Sequence, residues 1–478
     1  MITPGRGGRR LANRSGAAGR ATAATIAALL ATIALAPRPA AAVPVRLPAY
    51  EKTTLKNGLT VFIMPSARLP LVDFRLVARA GAANDPPGKE GLAHLAAGLL
   101  TQGAGVRSAR QFAEDIAFVG GTLTSSAGAE QTALTCEVLR KDFTLGLEML
   151  RDAAVRPTFP AEEVERKREE ALGEIASNRD DPSTVADHEL LPFLMGKSPL
   201  AHPPIGRAAA VKGITRDDVE AFHRQHITPD NAILAVVGDV DPKAALEAIE
   251  AAFKEWKSSG REHRVSYEPL ARAGGRTVRI VSKPEVTQTQ IRMACAGVPR
   301  NHPDYFPITV ANTILGVGFT SRLVNEIRVV QGLTYGIGSG FRMYRNAGTF
   351  GITTFTRNET LRRCIDETLR VLKELLDQGP GEEELAKARR YLTGQFPLGL
   401  QAPDQLAAQL VEIEFYGLDP RFVENYDASV NGVAMADCRR ALKSYFCTDD
   451  LRILVVSNPD SARKALEGLG PVEVKEIE

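Results

Sequence analysis

The stretch Glu90-Gly91-Leu92-Ala93-His94-Leu95-Ala96-Ala97-Gly98-Leu99-Leu100 decides how the rest of the chain is read. Its apolar residues recur at helical spacing behind the loop signal Asn84-Asp85-Pro86-Pro87-Gly88, which predicts a buried helix starting near Lys89. Past Glu90 its one polar side chain is His94. A hydrolytic metal helix needs a second imidazole one turn further on, so that both ligate one ion from one face. It also needs a carboxylate beside them to draw a proton from the bound water. Ala97 and Gly98 occupy those two places, and neither can ligate a metal or accept a proton.

Upstream, Arg6, Arg9, Arg10, Arg14 and Arg20 precede an alanine-rich apolar run from Ala21 to Leu35 and then Ala40-Ala41-Ala42. This is the pattern of a secretory signal over residues 1–42, cut before Val43. The run is too short and too rich in Ala for a comfortable membrane span. Arg9-Arg10 lacks the closely following apolar residues of a twin-arginine signal. Export to the periplasm, with membrane association left open, is the expected localisation. Removing the segment takes six arginines and no acid, which turns a formal net charge of +2 into about −4. That argues against nucleic acid or an anionic membrane as the main partner.

The mature chain is too long for one core, so two or more domains are expected. Cys136, Cys295, Cys364, Cys438 and Cys447 are scattered and show no C-x-x-C spacing. They read as buried free thiols in apolar segments, with a single Cys438–Cys447 bridge as the alternative in an oxidising compartment.

Downstream of the strands Leu59–Met64 and Leu71–Ala78 and the His94 helix, further helices are expected over 108–118, 141–154 and 160–177. Short strands are expected near 122–124 and 133–136. The half closes with a helix at 217–226, an apolar strand at 233–237 and a helix opened by Pro242. Residues 257–275 are polar, broken by Gly and Pro, and read as a linker. Beyond it the pattern restarts: strands at 278–282 and 290–296, a helix at 305–315, long helices at 359–376 and 382–392, a strand at 453–456 and a helix at 461–469. Strand–strand–helix, two long helices, then strand–helix occurs once per half. The expectation is an α+β protein of two homologous domains, 43–256 and 276–478, each a mixed, largely antiparallel sheet packed with helices.

The order of these pieces resembles the insulinase/pitrilysin superfamily of zinc metallopeptidases, especially two-domain bacterial proteins related to mitochondrial processing peptidase. The residues that carry the likeness are Leu55-Lys56-Asn57-Gly58-Leu59-Thr60-Val61, Gly91-Leu92-Ala93-His94-Leu95, and Thr228-Pro229-Asp230-Asn231 leading into Val236-Val237-Gly238-Asp239. In the second half they are Ser321-Arg322-Leu323-Val324-Asn325-Glu326-Ile327-Arg328 and Gly332-Leu333-Thr334-Tyr335. Set against the family's H-x-x-E-H, His94 keeps the first position, Ala97 replaces the general base and Gly98 replaces the second His. Glu174, on the charged helix, matches the distal ligand. Read without the resemblance, His94 is a helix histidine with a hydrogen-bond partner and Glu174 one charge on a solvated face. His223 and His226 lack an acid placed to complete a ligand set.

The resemblance also implies a role for Arg328 and Tyr335. In bacterial heterodimers of the superfamily the subunit without the zinc motif contributes an Arg and a Tyr to its partner's site, with the peptide held between them. Without the resemblance, Arg328 reads as a member of a surface ion pair and Tyr335 as a half-buried strand aromatic. The reading that follows is a subunit that binds no cofactor itself and works with a zinc-bearing homologue on a peptide or unfolded protein. The alternatives are a structural or peptide-holding subunit with no part in hydrolysis, and a self-contained metallopeptidase with an unusual ligand set. Gly316-Val317-Gly318-Phe319 lacks the Lys-Ser/Thr ending of a phosphate loop, and its glycines read as a close turn. Residues 337–341 and 349–355 read as paired strands, one of them able to offer an edge to an extended peptide.

Overall fold

Ile233, Leu234, Ala235, Val236 and Val237 are all apolar, so whichever way each side chain points it must be covered. They form the centre of a strand, Ala232–Gly238, and both of its faces are buried. Leu234 and Val236 enter one core, while Ile233, Ala235 and Val237 enter another on the opposite side. The structure, a computed structural model, describes residues 46–260, 267–271 and 274–477. The export signal expected over 1–42, and parts of the linker, lie outside those residues.

The first half forms a six-stranded sheet from β1 (Glu51–Thr54), β2 (Thr60–Pro65), β3 (Leu71–Ala78), β4 (Thr122–Ala127), β5 (Thr132–Leu139) and β6 (Ala232–Gly238), in the order β1-β2-β6-β3-β5-β4. The second forms β7 (Thr277–Ser282), β8 (Gln288–Ala296), β9 (Ile337–Met343), β10 (Gly348–Arg357), β11 (Arg452–Ser457) and β12 (Val472–Glu476), in the order β12-β7-β11-β8-β10-β9. β2 runs parallel to β6, as β7 does to β11. The remaining inner pairs are antiparallel in both sheets. Five strands of each sheet therefore correspond. The sixth does not: β1 precedes its sheet and pairs antiparallel, whereas β12 ends the chain and pairs parallel. Both of these strands escaped the sequence reading, being short and polar.

The helices of the first half are α1 (Leu92–Leu99), α2 (Ala109–Phe118), α3 (Phe143–Val155), α4 (Ala161–Asn178), α5 (Pro182–Met195), α6 (Ala208–Lys212), α7 (Arg216–His226) and α8 (Pro242–Phe253). Those of the second are α9 (Tyr305–Gly316), α10 (Leu361–Gln378), α11 (Glu382–Gln395), α12 (Pro403–Tyr416), α13 (Phe422–Gly432), α14 (Met435–Tyr445) and α15 (Pro459–Ala465). Capping sets several starts. Ser108 accepts from the Gln111 N–H, and Asp241 accepts from that of Ala244 ahead of α8, whose first residue is Pro242. The helices α5, α6, α12, α13 and α14 were not foreseen.

Two of those unforeseen helices tie the halves together. α5 crosses to the second sheet, where Val185 and Ala186 pack on Val281, Leu454 and Val456. α12 crosses the other way, placing Leu406, Ala407, Leu410, Val411 and Phe415 over Phe62, Met64, Val77, Ile233 and Val237. Each sheet thus buries its outer face under a helix of the other half. Full burial of each such aliphatic side chain is worth roughly 1.5–3 kcal/mol. Arg292 of β8 reinforces the exchange: buried, it donates to Asp187 at 2.6 Å and to the Ser183 Oγ at 2.8 Å on α5. Within the stretch read as linker, Tyr267 donates to Glu130, which also accepts from the Arg345 backbone N–H at 3.0 Å. The connection is therefore pinned to hairpins of both halves at that point.

The cysteines depart from the expected pattern. Cys295 at the end of β8 is joined to Cys447, which follows α14, so Cys438 is not Cys447's partner. Cys136, Cys364 and Cys438 are buried free thiols.

Candidate functional site

Helix α1 begins at Leu92, three residues later than its periodicity suggests, because the chain turns sharply at Gly91. Gly91 has φ of 107°, and a Cβ there would lie 2.6 Å from the Ile205 carbonyl oxygen, so only glycine fits. Asp85 supplies the cap: its carboxylate accepts from the Gly91 N–H at 2.7 Å and the Ala93 N–H at 2.8 Å. Burial pushes the Asp85 carboxyl up to about 7, against the pull of those donors. Leu92, Ala93, Leu95, Ala96 and Leu99 enter the core and so fix which face of the helix carries His94.

His94 is half-buried and has no hydrogen-bond partner among the described residues, unlike the hydrogen-bonded helix histidine expected without the resemblance. Burial lowers its pKa; Glu174 acts to raise it and Lys167 to lower it. The fold therefore brings His94 and Glu174 within electrostatic reach of each other, although nothing in composition required it. Ala97 is buried, and its carbonyl accepts from the Ser125 Oγ of β4 at 2.6 Å. At Gly98 a Cβ would have only Lys167 for company, with Cδ at 3.9 Å. Lys167 precedes Glu174 by seven residues, two turns along the same face of α4, and its Nζ pairs with Glu170 at 2.8 Å.

A divalent metal does not fit this site. His94 and Glu174 supply two donors of different kinds, Ala97 and Gly98 supply none, and the added charge nearby is an ammonium. Among the described residues the place where three ligand-type atoms come within 4.8 Å of one another is elsewhere, at Cys295, Cys447 and Asp450, and there the two sulfurs are already bonded together. His223 and His226 do not rescue the site. The His223 Nε2 meets the Ala154 carbonyl oxygen at 2.9 Å, and His226 packs against the Phe222 ring.

In the second half, Arg328 lies on a π-helical turn, Val324–Val330, a distortion frequent at functional sites. The chain leaves this turn through Gly332, at φ of 61°, and reaches Tyr335 before β9 begins. Tyr335 is therefore a loop residue, 78% exposed, and not the half-buried strand aromatic expected without the resemblance. The Arg328 guanidinium sits 4.7 Å from the Tyr335 ring centroid and 5.1 Å from that of Phe319. It has no carboxylate partner among the described residues. The nearest acid in sequence, Glu326, is held by Arg370 at 3.0 Å and by Gln331 at 3.1 Å. The structure thus brings the two predicted residues together and adds a third, Phe319, whose position in a glycine turn gave no warning. Lys167 was also missed, although its spacing from Glu174 along α4 was there to be read.

A duplicated α+β fold, with one imidazole but no second ligand on the helix of one half and an exposed arginine–tyrosine pair in the other, defines a peptidase-like protein of two-domain architecture. Residues 63–206 match the model of Insulinase (Peptidase family M16), and residues 213–392 match that of the Peptidase M16 inactive domain. The chain belongs to the insulinase/pitrilysin-like M16 superfamily. It is 29% identical over 402 residues to an uncharacterized zinc protease of Streptomyces coelicolor, covering 81% of this chain and 85% of that one. It is 28% identical over 385 residues to one of Mycobacterium bovis, covering 80% and 87%. Among solved structures, a peptidase M16 inactive domain from Pseudomonas fluorescens superposes with a TM-score of 0.79 at 26% identity, over 85% of this chain and 98% of that one. A protease from Helicobacter pylori gives 0.80 at 21% identity, over 86% and 100%, a likeness of fold alone.

Proposed function

We propose that this chain is the zinc-lacking subunit of an exported, heteromeric zinc endopeptidase, and that Arg328 and Tyr335 act in trans on a peptide held at a zinc-bearing partner's site. One observation carries the reading: α1 keeps His94 but has no second imidazole or carboxylate beside it, while a guanidinium without an anion and an exposed phenol stand together in the second half. Both are suited to negative charge. A carbonyl under attack by hydroxide accumulates charge on its oxygen, and a phenolic O–H or a fixed guanidinium can stabilise that charge by donating hydrogen bonds to it.

The test mixes this chain with a zinc-bearing homologue and follows cleavage of an internally quenched peptide. Arg328→Ala and Tyr335→Phe should each lower turnover by about 100-fold or more with assembly intact. Unchanged turnover in both variants would remove the pair from the reaction and leave a structural or peptide-holding subunit.

A further inference from the structure

The Arg328 surface carries more than the two residues invoked above. Four large apolar side chains that stand exposed among the described residues fall between positions 319 and 335: Phe319 at 76%, Val329 at 66%, Val330 at 64% and Tyr335 at 78%. Exposed apolar side chains grouped in this way mark contact surfaces. Within the group, Phe319 and Tyr335 each lie within cation–π range of the Arg328 guanidinium. The neighbouring charges are already satisfied: Arg370 is paired with Glu326, Glu367 and Glu374, Arg322 with Glu384, and Arg363 donates to Gln331. Arg328 has no anion among the described residues, and Arg363 likewise has only the neutral Gln331 amide. β9 begins two residues after Tyr335 and, among the described residues, is the last strand of its sheet, where its Ser339 carbonyl oxygen accepts from the Asn312 Nδ2 of α9 at 3.2 Å.

We infer that Phe319, Arg328 and Tyr335 form a preformed receptor for a carboxylate carried on an extended peptide beside an apolar residue, with Phe319 a positioning residue for the guanidinium. Ring contacts occupy the π faces of a guanidinium and leave its in-plane N–H donors for a ligand, and those donors match a carboxylate two at a time. The exposed Val329 and Val330 offer the flanking apolar contact. This inference rests on the trans-acting reading and deepens it by naming the substrate class as acidic–apolar peptides, with the guanidinium taken by the peptide's carboxylate and the Tyr335 O–H left for the carbonyl oxygen.

Isothermal titration of the full chain with two short, end-blocked peptides tests it. One carries a single Glu between apolar residues, and the other has Gln in its place. The Glu peptide should bind about 10-fold more tightly or better, with an affinity that falls as salt rises. Arg328→Gln should abolish the discrimination. Phe319→Ala should reduce it severalfold, and Phe319→Trp, which keeps a ring in place, should preserve it. Equal binding of the two peptides, no binding of either, or full discrimination in Phe319→Ala would each overturn the inference. If any of these occurred while Arg328→Ala still crippled the mixed peptidase, the receptor would be wrong and the trans-acting role would stand.

Discussion

The side chain of Lys167 passes 3.9 Å from the point where a side chain on Gly98 would begin. The place a second imidazole would take therefore adjoins a cation's aliphatic stem. Ala97→Glu with Gly98→His should leave zinc, measured after dialysis, well below one per chain. Adding Lys167→Gln should raise it, because the ammonium no longer opposes the ion. Equal zinc content in the two variants would acquit Lys167.

Asp73 faces the other half. It lies on β3 four residues before Val77, on the side that α12 covers, and its Oδ1 has no hydrogen-bond partner among the described residues. Burial, reinforced by Asp404 of α12, pushes its carboxyl up to about 7. The other end of α12 is held by Glu414, paired with Lys52 at 2.7 Å and Arg79 at 3.5 Å. An acid whose pKa rises on folding binds more protons when native, so its stabilising effect is complete below the unfolded value near 4 and is lost as pH rises through 7. Asp73→Asn should stabilise the protein at about pH 8 by on the order of 2–4 kcal/mol and little near pH 4. Denaturant midpoints across that range check it. Asp85 titrates with the same sign, so the slope should shrink without vanishing.

The exchange of α5 and α12 predicts that the halves unfold together. Leu410→Ala, which empties part of the α12 contact, should cost about 2–5 kcal/mol and shift a single transition. Two separated transitions in circular dichroism would mean that the crossing helices contribute little.

The Cys295–Cys447 bridge closes a separation of 152 residues. Its reduction should lower stability by about 3–5 kcal/mol on the chain-entropy account, read as a shift in the urea midpoint. Cys438→Ala should leave the response to reductant unchanged.

Residues with one dominant determinant were legible in the sequence. The bounds of β3 follow from a largely apolar run closed by Gly81, those of α8 from Pro242, and the two buried faces of β6 from an unbroken apolar run. Helix α12 was not legible, because its apolar face answers to a sheet more than a hundred residues away and its own amphipathic pattern is weak. The disulfide was missed for a related reason: Cys447 lies near Cys438 in sequence, but β8 brings Cys295 to it in space. At the site, Arg328 and Tyr335 were found through their neighbours in sequence. Phe319 was not, since only the folded π-helical turn sets its ring beside the guanidinium.

The most direct measurement is made on this polypeptide alone: zinc content after dialysis, together with hydrolysis of a quenched peptide with and without a chelator. A chain without a metal site should hold zinc far below one per chain and show no hydrolysis above the uncatalysed background. Stoichiometric zinc, with cleavage that the chelator abolishes, would mean that this chain builds a metal site of its own.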